Sequence, residues 1–161
     1  FALRCLDLAQ QEMTEIYRLF VPGVPIPQGS TSSSLNPKTG RIMTYAANPK
    51  LKAWRKTLAD ALESAWEAEG GTKKSELPFR ITQIIFVMPR PKSRKKSHYH
   101  ITKPDADKLL RACLDAGTDA GLWKDDSQVF EIESVYKRYT DSEDDEEVPG
   151  VWITLHEIAL D

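Results

Sequence analysis

The segment FRITQIIFVM, at residues 79–88, constrains the fold of this chain more than any other. Most of its side chains are β-branched, aliphatic or aromatic, which is typical of a β-strand. Apolar residues stand at both odd and even positions, so both faces of such a strand would be covered by protein. We therefore predict a central strand of a β-sheet.

Helix-like and strand-like patterns alternate along the rest of the chain. Residues 50–68 carry apolar side chains at helical spacing; Asn48 and Pro49 suit the start of this helix, and a Gly-Gly pair suits its end. A second helix is predicted at about 105–117. The other predictions are strands at 15–21, 128–139 and 150–158, the last two paired as a hairpin, and a long loop at 22–48 whose most flexible part is 30–34.

The order β-α-β-α-β-β favours an α+β fold with one mixed β-sheet and helices on one face. A length of 161 residues favours one domain with a sizeable core. No apolar run approaches the roughly 18 residues of a membrane span. We assign residues 15–161 to this domain and residues 1–14 to an N-terminal extension.

The cysteines and the first residues indicate the compartment. Cys5 and Cys113 lie far apart and have no C-x-x-C partner, so neither a zinc site nor a disulfide scaffold is expected. Cys113 is predicted to be a buried thiol. The first residues include Arg4 and Asp7 and lack the apolar core of a secretory signal. A reducing cytoplasm is the expected location.

A net charge of −2 hides two opposite clusters. Residues 73–103 contain nine basic side chains and one acidic, a balance of +8, whereas residues 141–147, the acidic tract, contain six acidic and no basic side chains. Local potential steers a charged partner, so a near-neutral total does not exclude a polyanion. Residues 89–103, the basic loop, are predicted either to be a solvated loop or to follow a nucleic-acid backbone, through Lys92, Arg94, Lys95, Lys96 and Lys103.

Two pairs of aspartates flank the second predicted helix. Asp105 and Asp107 stand at its start, and Asp125 and Asp126 precede the next strand. The first pair has a simple explanation as helix caps, and the second as an exposed turn. The alternative is that carboxylates from the two pairs converge on one site. Near a helix start the backbone is still partly extended, so residues i and i+2 can point to one place, and a segment returning beside the helix would add the second pair.

Converging carboxylates repel each other unless a cation or a proton neutralises them. Oxygen ligands without nearby His or Cys suit Mg²⁺, or Mn²⁺ as the second choice. Such an ion activates water and offsets the charge that builds on a phosphodiester during displacement. The pair His98 and His100 lacks a third ligand and is predicted to lie in a loop that faces DNA.

The stretch KPDADKLLRACLDAGTDAGLWKDDSQV, at residues 103–129, resembles the signature of the RusA family of Holliday-junction resolvases. VPGVPIPQG at 21–29 and AWRKTL at 53–58 are also similar to that family. The resemblance implies a homodimeric, metal-dependent endonuclease that cuts four-way DNA junctions and is common in bacteriophages and prophages. It implies metal binding and catalysis by Asp105, Asp107 and Asp126, with Asp125 as the adjacent carboxylate.

The chain departs from the family pattern at three places. Lys108 stands where the family usually has Asn, and Arg111 where it has a catalytic Lys. Arg111 keeps the positive charge and can hold a phosphate bidentately, but it does not easily release a proton. Lys108 is the other candidate for the helper role. The first loop is less rich in arginine than in the family and retains Lys38 and Arg41 as DNA-binding candidates.

Three functions are therefore weighed. The first is a metal-dependent endonuclease that resolves branched DNA in recombination, repair or phage DNA processing, in the cytoplasm of a bacterial host. The second is a branched-DNA-binding homologue that has lost cleavage, which the altered helper position motivates. The third is an α+β interaction domain without a nucleic-acid role.

Overall fold

A computed structural model of the chain describes residues 14–29, 31–46, 48–94 and 96–160. The N-terminal extension predicted at 1–14 lies outside these ranges except for Thr14, and Lys95 of the basic loop lies outside them too. In the described ranges, no helix combines the length and the apolarity needed to cross a membrane.

One mixed sheet and two helices form the body of the molecule. The helices are α1 (Lys50–Ala68) and α2 (Ala106–Asp119). A separate hairpin consists of β2 (Thr31–Leu35) and β3 (Ile42–Ala46). The sheet consists of β1 (Glu15–Pro22), β4 (Phe79–Met88), β5 (Val129–Ile132), β6 (Val135–Tyr139) and β7 (Gly150–Glu157).

Strand β4 is central, as predicted. It pairs antiparallel with β7 on one side and parallel with β5 and β6 on the other, and β1 pairs with β7 at the far edge. A register shift lies between Ile81 and Gln83. Before the shift the buried side chains stand at odd positions, and after it the even positions from Ile84 onward are buried, because an irregularity reverses which face a residue meets. Val87, near the end of the strand, is buried as well. The α+β class with a mixed sheet is confirmed.

The predicted hairpin between 128–139 and 150–158 is wrong. Strand β7 pairs with β1 and β4, and β4 lies between β7 and β6. The predicted single strand at 128–139 is also divided into β5 and β6, which meet β4 at different levels. The acidic tract therefore crosses the end of β4. The local sequence pattern did not reveal this strand order. The apolar residues of each strand would be buried equally well beside β4 or beside a hairpin partner, so the pattern fits both arrangements.

The predicted loop at 22–48 contains the hairpin of β2 and β3. The Asn36 amide donates to the Arg41 carbonyl at 2.9 Å, and the Asn36 side chain accepts from the Lys38 amide. Gly40 closes this turn at a φ of +65°, which glycine adopts without strain. The serine-rich stretch thus supplies strand β2 from Thr31 onward, because short polar residues with a complementary partner can form a two-stranded ladder.

Helices α1 and α2 pack against each other and share one core with the sheet. The Asn48 side chain accepts from the Lys50 amide at 3.0 Å, which supports the predicted start of α1. Leu58 and Leu62 of α1 and Leu109 of α2 are fully buried beside the sheet. The opposite face of the sheet carries no described helix and leaves Trp152 partly exposed.

Cys113 lies on the buried face of α2, as predicted, and burial raises the pKa of its thiol to about 12. We expect no reaction of native Cys113 with an aromatic disulfide reagent at pH 8, because the reactive species is the thiolate. Mass spectrometry of labelled peptides would locate the reaction, with Cys5 as the internal comparison and the denatured chain as the positive control. Rapid labelling of Cys113 in the native protein would contradict its burial.

The acidic tract is tied to β6 by an ion pair. Arg138 donates to both carboxylate oxygens of Glu147, at 2.9 and 2.6 Å, and both side chains are largely buried. These bonds from Arg138 lower the pKa of Glu147. Because the pKa of this carboxyl is lower in the folded protein than in the unfolded chain, the ion pair stabilises the fold fully at pH values above the unfolded-state pKa. This stabilisation is lost as the pH falls through the folded-state pKa.

We expect Glu147→Gln to lower the free energy of unfolding by about 1–2 kcal/mol at pH 7, because it removes a charge-assisted pair. The difference from the native chain should shrink as the pH falls below about 4, where carboxyls take up protons. Urea unfolding across this pH range measures it. Glu146→Gln is the matched control, since that neighbouring side chain is exposed; equal effects of both substitutions would contradict the assigned role.

Candidate active site

Asp105 occupies the N-cap position of α2, but its carboxylate does not cap the helix. Its backbone is extended, with φ −73° and ψ 144°, and the described residues give its side chain no capping hydrogen bond. The carboxylate forms an ion pair with Lys108, whose Nζ lies 3.5 Å from Asp105 Oδ2. About half of each side chain is exposed, so this ion pair contributes little to stability. The capping explanation for Asp105 is therefore not realised.

Asp107 lies in the first turn of α2 and begins a line of charged residues along one helix face. Arg111 follows four residues later and Asp115 four residues after that. Residues at this spacing are neighbours on a helix surface. Asp107 and Arg111 are exposed. Within the described ranges, the carboxylate of Asp107 makes no recorded hydrogen bond or ion pair.

The second aspartate pair returns to this helix. Asp126 begins a short 3₁₀ helix, Asp126–Gln128, that packs against α2. The charges of Asp126 and Arg111 both act on Asp115, which places the two stretches at one region of the surface. Asp126 is partly exposed, and the described part of the chain shows no recorded partner for its carboxylate.

Asp125 differs from Asp126 because its side chain has a structural task. Asp125 Oδ1 accepts from the Ser127 amide at 2.9 Å, and Gln128 Oε1 accepts in return from the Asp125 amide at 3.1 Å. This is a capping box on the 3₁₀ helix. Hydrogen bonding with Ser127, first through its side chain and then through its backbone amide, lowers the pKa of Asp125.

Trp123 anchors the segment that carries this pair. Its side chain is 1% exposed, its Nε1 donates to Thr118 Oγ1 at 2.9 Å, and its ring meets Phe79 edge-on with centroids 5.0 Å apart. A Cβ atom at Gly117 would lie 2.2 Å from this ring, so only glycine leaves room for it. Gln128 Nε2 holds the far end by donating to the Ser75 and Leu77 carbonyls.

Asp115 is a further charged residue beside the candidate site, and the sequence patterns did not single it out. Arg55 of α1 lies 3.6 Å from its carboxylate and binds Asp119 at 2.6 Å, linking the two helices. Burial raises the pKa of Asp115, Arg55 and Arg111 oppose this rise, and Asp126 adds to it. The available signal was its position four residues after Arg111 and eight after Asp107, on the same helix face. The contribution of Arg55, sixty positions earlier in the chain, had no local signal.

The donor set at this surface fits a hard divalent cation, because it consists of carboxylate oxygens and these carboxylates form no capping hydrogen bond in the described residues. Asp105, Asp107 and Asp126 supply these oxygens. In the described ranges, however, no three His, Cys, Asp or Glu side chains are grouped closely enough to hold a metal ion. This part of the chain therefore supplies ligands of suitable chemistry without arranging them in a closed cage.

The basic loop presents its cations to solvent. Lys92, Arg94 and Lys96 are exposed, as is Lys103 near the start of α2. Arg90 instead organises the loop, because its guanidinium donates to the carbonyls of Arg94, Ser97 and Thr140. Two further predicted DNA-binding residues are also exposed but belong to the separate β2–β3 hairpin, namely Lys38 and Arg41.

An α+β domain that combines exposed carboxylates without a capping role and an exposed basic loop has the features of an enzyme that acts on nucleic acid. The sequence model of the family described as Endodeoxyribonuclease RusA matches residues 22–155, and the chain belongs to that family. The matched range includes both aspartate pairs and confirms the resemblance identified from the motif. No curated protein matches the chain.

Proposed function

We propose that this protein is a metal-dependent, structure-selective endonuclease that resolves Holliday junctions and related branched DNA. The observation that carries the proposal is the uncapped carboxylate of Asp105 at the start of α2, inside the range that matches the nuclease family. The carboxylate of Asp105 makes no capping hydrogen bond, so the helix does not depend on it for a cap. The proposed setting is recombination, repair or phage DNA processing in the cytoplasm of a bacterial host.

In this proposal Asp105, Asp107 and Asp126 hold Mg²⁺, with Mn²⁺ as a substitute. A bound ion of this kind lowers the pKa of water and offsets charge on the phosphodiester. The carboxylate oxygens of these three aspartates orient the attacking water. Lys108, beside Asp105, and Arg111, one turn along the helix, offset the negative charge of the phosphate.

Lys92, Arg94, Lys95, Lys96 and Lys103 are proposed to follow the DNA backbone, with Lys38 and Arg41 as additional contacts. Such contacts release counterions, so affinity should fall steeply as salt rises. The exposure of the described members of this set supports the proposal. Arg90 is excluded from it because its guanidinium is committed to loop carbonyls.

A homodimer is part of the proposal, because a four-way junction presents two symmetric strands and a two-fold dimer presents two sites. The face of the sheet that carries no helix among the described residues supports it. Tyr136 and Trp152 leave aromatic surface partly open there. Light scattering at micromolar concentration should report twice the mass of the chain; a monomer that still makes paired cuts would contradict this part.

Cleavage of a synthetic four-way junction tests the proposed function. We expect Mg²⁺-dependent, paired nicks near the branch point and little cutting of a linear duplex with the same sequence. The second candidate, a binding protein that has lost cleavage, is motivated by Arg111 in place of the family lysine. It predicts salt-sensitive junction binding without nicks in Mg²⁺ or Mn²⁺. Absence of both binding and cutting at low salt would reject both functions.

Arg111 provides a sharper test of the catalytic assignment. We expect Arg111→Ala to lower the single-turnover cleavage rate by about 10²-fold, a typical loss for one charge-stabilising group. Arg111→Lys should restore most of the rate, since a lysine keeps the charge and can also release a proton. Lys52→Ala is the control for general loss of an exposed cation, since Lys52 lies on α1 outside the proposed contacts. Equal rates for Arg111→Ala and the native chain would remove Arg111 from the mechanism.

A further inference from the structure

A cavity of about 530 Å³ opens beside the candidate active site. Its walls are mostly apolar and come from the loop after β1, the end of β4 and the segment before α2. Val24, Ile26, Met88, Pro89 and Pro104 are among the wall residues. The volume falls in the range of about 300–1,000 Å³ that is usual for small-molecule sites.

The rim of this cavity is charged and is shared with the site. Asp105 lines it, with Lys103 and Lys108 on the same side. A phosphate held at Asp105 through a cation would thus stand at the mouth, and the two ammonium groups suit phosphates before and after it. An apolar interior with a cationic rim matches a nucleotide, whose base is flat and largely apolar on its faces and whose backbone is anionic.

The walls are held in place by contacts that do not depend on a ligand. The Gln28 amide donates to the Lys108 carbonyl at 2.9 Å, which fastens the loop after β1 to α2. Lys137 Nζ donates to the Thr102 and Pro104 carbonyls at 2.8 and 2.7 Å, which fastens the opposite wall to β6. The cavity is therefore formed before DNA arrives, and little ordering is needed to fill it.

His100 lies in the wall of this cavity, in the loop that precedes α2. It is 8% exposed and rests against Tyr139, with ring centroids 4.8 Å apart. Among the described residues, no group forms a hydrogen bond with its Nδ1. Burial and the charge of Lys137 lower its pKa, so the ring is neutral and offers one donor and one acceptor.

We infer that this cavity receives one nucleobase extruded at the branch point, while its phosphate lies at Asp105. The inference rests on the proposed junction cleavage and adds the part of the substrate that the protein recognises. Extruding a base costs least where pairing and stacking are already weakened. A pair at the branch point lacks the continuous stacking that supports a pair inside a duplex, so filling the cavity costs less in a junction, and the cavity contributes to the preference for branched DNA.

The test uses four-way junctions that carry the fluorescent base 2-aminopurine, either at the branch point or in the middle of one arm. Binding is measured in Ca²⁺, so that the readout does not depend on cleavage. We expect the native protein to increase the emission of the branch-point base severalfold, because the base leaves its stacked neighbours. The base in the arm should not change.

Val24→Trp is the cavity-filling variant and Val148→Trp its matched control, since these two valines are 48% and 49% exposed and Val148 does not line the cavity. Val24→Trp should abolish the emission change and lower cleavage by about tenfold, the loss expected from one stacking interaction. Val148→Trp should behave like the native chain. Circular dichroism and anisotropy establish that each variant is folded and binds the junction.

Each contrary result has a separate meaning. A bound junction without an emission change in the native protein overturns the inference and leaves the proposed function standing. Loss of the dimer in Val24→Trp by light scattering also overturns it, because the cavity would then seat a second copy of the chain. No junction binding and no cutting by the native protein rejects the proposed function, and the inference with it.

Discussion

Asp107→Asn is expected to lower the rate of junction cleavage by at least about 10³-fold while leaving the fold unchanged. A metal ion contributes several kcal/mol of charge stabilisation, and each 1.4 kcal/mol corresponds to a factor of ten. Asn keeps the size of the side chain and removes the charge that retains the ion. Since Asp107 is exposed, the free energy of unfolding should change by less than about 0.5 kcal/mol.

Single-turnover cleavage in Mg²⁺ measures this effect, and titration of Mn²⁺ by electron paramagnetic resonance measures ion binding independently. Asp126→Asn should behave like Asp107→Asn. Asp125→Asn is the informative neighbour, because asparagine caps a helix about as well as aspartate does. We expect it to retain cleavage within a few-fold. Native rates for Asp107→Asn would exclude its carboxylate from the mechanism.

Trp123→Ala is expected to destabilise the protein by about 3–5 kcal/mol, the usual cost of removing a buried tryptophan. The ring is fully buried between α2 and β4 and makes a hydrogen bond with Thr118. For a domain of this size the loss lowers Tm by about 10 °C or more. Because Trp123 anchors the segment before Asp126, cleavage should also fall at temperatures where the variant remains folded.

Thermal unfolding followed by circular dichroism measures this change, with cleavage at 15 °C as the functional readout. Trp123→Phe is the control that retains most of the apolar volume and removes the hydrogen bond, and we expect about half of the destabilisation or less. If Trp123→Ala unfolds within 1 kcal/mol of the native chain, the described packing around Gly117 and Phe79 cannot be correct.

The helices and the central strand follow from local pattern. Helix α1 spans the predicted residues, because Asn48 supplies a cap and the glycines after Ala68 end it. The prediction for β4 also held, since a run of this composition leaves few alternatives to the interior. The partners of β7 were predicted wrongly, because pairing depends on which strand lies beside it after the chain has turned.

The candidate site likewise has features that follow from the sequence and features that depend on tertiary structure. The sequence alone selected the candidate residues: the aspartate pairs, the arginine that replaces the family lysine, and the loop of lysines and arginines. Tertiary structure decided which carboxylates have structural tasks, capping with Asp125 and leaving Asp105 uncapped. It also brought Arg55 to Asp115 and built the cavity beside Asp105. These outcomes depend on contacts between distant segments, which are set by packing the whole core and not by any short stretch of sequence.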